Sequence, residues 1–193
     1  MSPNTRRALF GLEEHGAPYG FVPVDLMKGE QKSPAYLALN PTGRVPTLVD
    51  GDFVLWESNA ILEYLAALHP DKKLGGQSPR DTGEISRWMS MNAAHLSPNV
   101  ARIFAHTIRL PEDQRIPRLV DDARAEVDRC LRAVAGRLTA REYLVDRFSL
   151  AEIAIAPTLS AAPMLGIELA RFPTVAEWMT RIASRPAWQK AQA

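Results

Sequence analysis

Cysteine is nearly absent from this chain. A single one, Cys130, stands among 193 residues, so no internal disulfide is possible and a cytoplasmic location is the natural expectation. No run of eighteen apolar residues, the length that a membrane-spanning helix needs, is present. The N-terminus is polar and lacks the apolar stretch of a secretory signal. Net charge is only +1, which gives no electrostatic case for nucleic acid as a partner. The four histidines show no metal-ligand spacing: His15 and His69 fall at helix ends, and His95 and His106 lie too far apart on one helical stretch to share an ion. Repeats and low-complexity tracts are missing as well.

What is present suffices for a real core. Hydrophobic residues make up 46% of the chain. Elements before Gly75-Gly76 are short and mixed. Pro3–His15 reads as a helix with Ala8, Leu9 and Leu12 on one face and Gly16 as its stop. Phe21–Asp25 has a weak strand-like alternation. Thr47–Asp50 and Phe53–Glu57 flank Gly51-Asp52, a two-residue hairpin signal. Ser58–Leu68 is a helix with Ile61, Leu62, Leu65 and Leu68 inward, ended by Pro70. Beyond Gly76 the strong signals are helical: Val120, Val127, Leu131, Val134 and Leu138 recur at helical spacing, Ser149–Leu165 is almost wholly apolar, and Pro173–Ser184 closes the chain. Pro98 is expected to kink or break its helix. Ser149 and Glu152 have the spacing of a capping box, a folding device rather than a chemical one. Residues 71–80 are the natural linker, so the expected division is residues 1–73 and residues 80–193.

The most informative stretch is Asn40–Ile61, NPTGRVPTLVDGDFVLWESNAI. Asn40-Pro41-Thr42-Gly43 is a turn. Pro46 stands directly before an apolar run, where a proline usually has a special geometry. Glu57-Ser58 sits between a strand-like run and a helix-like run, where a helix N-terminus offers backbone N–H groups to an anion. An acid beside a hydroxyl at a helix start suits a charged, peptide-like ligand. Taken alone, each of these features is more often an ordinary turn, cap or surface charge; together, at this spacing, they point to one site.

This segment resembles the glutathione-binding half of cytosolic glutathione transferases, which carry N-P-x-G-x-V-P, a short hairpin and then E/Q-S-x-A-I. The start, Ser2-Pro3-Asn4-Thr5-Arg6-Arg7, resembles the activating-serine segment of phi- and theta-like members. The resemblance covers nearly the whole chain. It implies a thioredoxin-like α/β domain followed by an all-α domain, a homodimer, and a reaction in which glutathione thiolate attacks a hydrophobic electrophile. Glutathione is then the co-substrate and no metal is needed. Peroxide reduction with glutathione and a non-catalytic binding or scaffold role are the alternatives.

The resemblance also implies roles for individual residues. Glu57 pairs the ligand's amine, and Ser58 gives its hydroxyl and backbone N–H to the γ-glutamyl carboxylate. Val45, before a cis Pro46, pairs its backbone with the cysteinyl unit. Gln31 and Lys32 hold the glycine carboxylate. Ser2 donates to the sulfur, with Arg6 one turn on as a structural salt-bridge partner or a source of positive potential. Cys130, beside an apolar helix face, is an inert thiol, which argues against disulfide chemistry through an enzyme cysteine. Trp88, Met89, Met91, Leu96, Ile103 and Phe104 form core and dimer seam, or line the pocket for the second substrate. One departure stands out. Relatives place a β-strand ahead of the activating serine, and no such run precedes Ser2 here. That absence is expected to split or rearrange the first domain's sheet, or to leave it borrowing a strand from a neighbouring chain, and to weaken catalysis.

Overall fold

The computed structural model describes residues 1–192. The chain divides into two compact units. One comprises Met1–Gly75 with the residues from Pro186 onward, and the other is Gly76–Arg185.

The first unit opens on helix α1, Pro3–His15. Ser2 caps it, accepting from the Thr5 N–H at 3.1 Å, and Pro3 suits the first turn because its missing N–H would find no helical partner there. Gly16 ends the helix at φ 68, the left-handed conformation that glycine adopts without penalty. A short helix α2, Pro34–Leu39, precedes the hairpin of β1, Thr47–Asp50, and β2, Phe53–Trp56. The strands are antiparallel, with Thr47 opposite Trp56 and Asp50 opposite Phe53. Helix α3, Ser58–Leu68, follows. It buries Ile61, Leu62 and Leu65, while Leu68, expected inward, is half exposed.

Helices α1 and α3 pack closely because Gly11 has no side chain. A Cβ there would come within 2.3 Å of Leu62 Cδ2. Phe10 is fully buried and meets Trp188 edge-on, ring centroids 5.2 Å apart. Trp188 comes from helix α9, Pro186–Lys190, so the end of the chain packs on the first helix of its beginning.

Phe21–Asp25 is not a strand. It runs as irregular chain, with Phe21 and Val22 exposed. A strand exists only where a neighbouring strand accepts its hydrogen bonds. Among the described residues the sheet has two strands, β1 and β2, so Phe21–Asp25 and Thr47–Asp50 are not paired.

The second unit is helical: α4 Pro79–Met91, α5 Ser97–Phe104, α6 Pro117–Leu138, α7 Leu150–Leu159 and α8 Pro173–Ala183. Pro98 does not break the chain's helical course. The wider π-helical turn Asn92–Leu96 joins α4 to α5, and its bond from Ser97 N–H to Asn92 O spans five residues. Such a turn accommodates a residue that lacks an N–H. Helix α7 is buried along its whole length and ends earlier than its apolar run suggests, passing into a short 3-10 turn over Pro163–Leu165. The capping box at its start is present. Glu152, fully buried, accepts from Ser149 N–H at 2.9 Å, Ser149 Oγ at 2.9 Å and Leu144 N–H at 2.7 Å. The last of these ties the preceding loop to the helix.

Candidate glutathione site

The turn Asn40–Pro46 is built around Asn40, which is 1% exposed. Its Nδ2 donates to Arg44 O at 2.8 Å and to Thr47 Oγ1 at 3.2 Å, and its Oδ1 accepts from Thr42 N–H and Oγ1. Tyr36 of α2 adds a bond from its hydroxyl to Arg44 O at 2.8 Å. One buried side chain thereby fixes the loop that carries Val45. The Val45–Pro46 bond is cis. The backbone of Val45 bonds nothing among the described residues.

Lys32 reaches this same turn. It lies in the 3-10 turn Glu30–Lys32, and a Cβ placed on Gly43 would stand 2.7 Å from its Nζ. Gly43 itself has φ 59. The missing side chain and the left-handed backbone together leave room for the ammonium beside the loop. Gln31 is half-buried next to it, and its Oε1 has no hydrogen-bond partner among the described residues.

Glu57 and Ser58 form the corner between β2 and α3. Glu57 has φ 73 and ψ 114, a sparsely populated region that costs a non-glycine residue about 1–3 kcal/mol. Strain of this kind concentrates where a ligand is held. Glu57 is exposed, whereas Ser58 is buried. The Ser58 hydroxyl accepts from Arg7 Nη1 at 2.8 Å. The same nitrogen donates to Asn4 Oδ1 at 2.7 Å. Burial draws the Arg7 pKa down to about 10, and Glu57 pulls it back up, so Arg7 is a cation at neutral pH.

The sequence reading missed Arg7 and considered its neighbour Arg6, whose own pKa burial lowers. The guanidinium that reaches Ser58 is the one a residue later. Helical spacing carried the signal: Arg7 stands three and four residues before Phe10 and Gly11, the inward stripe of α1.

Ser2 lies at the open end of α1. Its Oγ accepts from Thr5 N–H and faces Thr5 Oγ1 at 3.0 Å. The hydroxyl is thus a helix cap, and the cap uses its oxygen as acceptor while leaving its hydrogen to Thr5 or to a ligand. In the second unit, burial raises the Cys130 pKa to about 11, with Glu126 adding to the rise, so the thiol stays protonated and unreactive at neutral pH. Trp88, Met89, Leu96 and Ile103 are buried core. Among the described residues, no cluster of three or more His, Cys, Asp or Glu has metal-binding geometry, and no helix is long and apolar enough to cross a membrane.

The family model for the glutathione S-transferase N-terminal domain matches residues 1–67, and that for the C-terminal domain matches residues 98–186. The chain belongs to the glutathione S-transferase family. Its two domains are the thioredoxin-like and the mostly helical domain of such transferases, and it is a transferase enzyme of the phi/theta-like type.

Similar proteins agree in both sequence and structure. Glutathione S-transferase F10 of Arabidopsis thaliana is 34% identical, across 98% of this chain and 92% of the relative. Glutathione S-transferase GstB of Escherichia coli strain K12 is 32% identical, with the same two coverages of 98% and 92%. The theta class glutathione S-transferase of Xanthomonas axonopodis pv. citri, solved with glutathione bound, superposes with a TM-score of 0.90 at 34% identity, over 98% of this chain and 92% of that one.

Proposed function

We propose that this transferase conjugates the thiolate of glutathione to a hydrophobic electrophile, and that the ligand lies along the corner and turn of the first unit. The observation that carries the reading is the Glu57-Ser58 corner: an exposed acid and a buried hydroxyl on a strained backbone at a helix start, backed by a buried cation.

The assignment follows the ligand's charges. Glu57 pairs the γ-glutamyl amine. Ser58 donates to the adjacent carboxylate, and the positive end of the α3 dipole adds to that attraction. Val45 offers its unbonded N–H and C=O to the cysteinyl unit in the manner of an added strand. Lys32, beside Gly43, meets the glycine carboxylate, with Gln31 next to it. Ser2 donates to the sulfur and favours the thiolate, the form that attacks electrophiles. No step in this scheme calls on a metal. A homodimer belongs to the same reading, and the single cysteine fits a cytoplasmic location. Peroxide reduction and a scaffold role lack comparable support, because the similar proteins are named as transferases.

Ser58→Ala is the direct test. It removes a hydrogen bond to a charged group, so glutathione affinity should fall by about 1–3 kcal/mol. Calorimetric titration measures this. Unchanged affinity in a folded variant would contradict the placement of the γ-glutamyl end.

A further inference from the structure

The pairing of Arg7 with Ser58 goes one step deeper into the same site. A guanidinium has only donors, and a serine hydroxyl has one hydrogen and two lone pairs. With Arg7 Nη1 on Ser58 Oγ at 2.8 Å, the serine oxygen is an acceptor on that side. Its hydrogen must point elsewhere. Among the described residues nothing accepts it. Arg7 is 4% exposed, so its charge acts through a medium of low dielectric, where attraction to an anion is far stronger than in water. Asn4 Oδ1 fixes the same nitrogen from the other side at 2.7 Å, which holds the guanidinium in place before any ligand arrives.

We infer that Arg7 is the positioning residue for the γ-glutamyl carboxylate: it makes the Ser58 hydroxyl an obligate donor toward the ligand and sets a buried positive charge behind that donor. The inference rests on the glutathione reading above. The γ-glutamyl end is a zwitterion, and the site answers it with one of opposite order. Glu57 faces the amine, and the Arg7-Ser58 pair faces the carboxylate. A lone serine at a helix start would bind the carboxylate with a hydroxyl free to rotate. Here the rotation is settled in advance, which reduces the ordering cost of binding.

The test compares glutathione with its decarboxylated analogue, 4-aminobutanoyl-cysteinylglycine, which keeps the amine and lacks the carboxylate in question. Both are titrated calorimetrically into the purified full chain. The parent is expected to prefer glutathione by about ten- to a hundredfold, the range for a hydrogen bond to a charged group. In Arg7→Met that preference should shrink to within about threefold, with affinity for the analogue little changed. A purely structural role would weaken both ligands alike and keep the preference, and that result overturns the inference.

Arg7→Lys retains the charge and should retain most of the preference. Ser58→Ala leaves the guanidinium in place and should lose part of it. An unchanged preference in Ser58→Ala overturns the inference even where Arg7→Met does not fold. A parent chain that binds neither ligand overturns the glutathione reading itself, and this inference with it. A parent that binds both ligands equally overturns the inference alone.

Discussion

Ser2→Ala is expected to lower conjugation turnover about ten- to a thousandfold, the usual loss when one aimed donor is removed from a developing or stabilised anion. Glutathione affinity should change much less, because the ligand's two ends are held by other residues. The physical basis is the thiol's acidity. A free cysteine thiol has a pKa of about 8.5. Lowering it by two units takes only about 2.7 kcal/mol of differential stabilisation, within reach of one hydroxyl donor and a helix dipole. The structure adds a complication that a second variant resolves. Ser2 also caps α1 through Thr5 N–H, so Ser2→Ala removes a cap worth about 0.5–2 kcal/mol. Ser2→Asp keeps a capping acceptor and removes the hydroxyl donor. Stability should therefore hold in Ser2→Asp while turnover falls as in Ser2→Ala. Stopped-flow or steady-state turnover, with thermal unfolding alongside, separates the two roles. Full turnover in Ser2→Asp would assign the sulfur donor elsewhere on α1.

Glu152→Ala should be the most destabilising single change in the second unit's capping region. Three buried donors, Leu144 N–H, Ser149 N–H and Ser149 Oγ, lose their acceptor at once. At about 1–3 kcal/mol for a stranded buried group, with incomplete additivity, the loss is about 3–5 kcal/mol. For a chain of this size that corresponds to a drop in Tm of about 6–20 °C. Scanning calorimetry reads it, and a shift of under about 2 °C would show that the loop and helix do not depend on this carboxylate.

The same residue should also give a pH signature. Burial pushes the Glu152 pKa up to about 7, against the pull of its hydrogen bonds. The folded value lies above the ordinary one of 4.5, so the folded state holds the proton more tightly than the unfolded state does. Its contribution to stability is then full below about pH 4.5 and is lost as pH rises toward about 7. The stability difference between the parent and Glu152→Gln should shrink across that window. A difference that grows with pH would reverse the sign of this account.

What could be read in the sequence was mostly what is decided locally. Ser2-Pro3 and Gly16 mark the bounds of α1 because caps act within one turn. Ser149 and Glu152 spell their capping box for the same reason, although the reach of Glu152 to Leu144 does not show, since it depends on where a loop returns. The Asn40–Ser58 run stood out as a candidate site because turn, hairpin and helix start are contiguous. Phe21–Asp25 failed as a strand because alternation describes a side-chain pattern and not the presence of a neighbour to bond. Arg7 was missed for a different reason. Arg6 and Arg7 look alike in sequence, and only the packing of α1 against α3 chooses which one is buried at Ser58. Lys32 beside Gly43 is a tertiary meeting of the same type, hinted at only by a glycine in a turn.

The central claim is that this chain binds glutathione along the Val45, Glu57 and Ser58 corner of its first unit and transfers it to an electrophile. Conjugation of an aryl halide by the purified chain, followed against glutathione concentration, tests it most directly. The account predicts turnover that saturates with glutathione and loses its apparent affinity in Ser58→Ala. A rate no greater than the uncatalysed reaction at every glutathione concentration would contradict it.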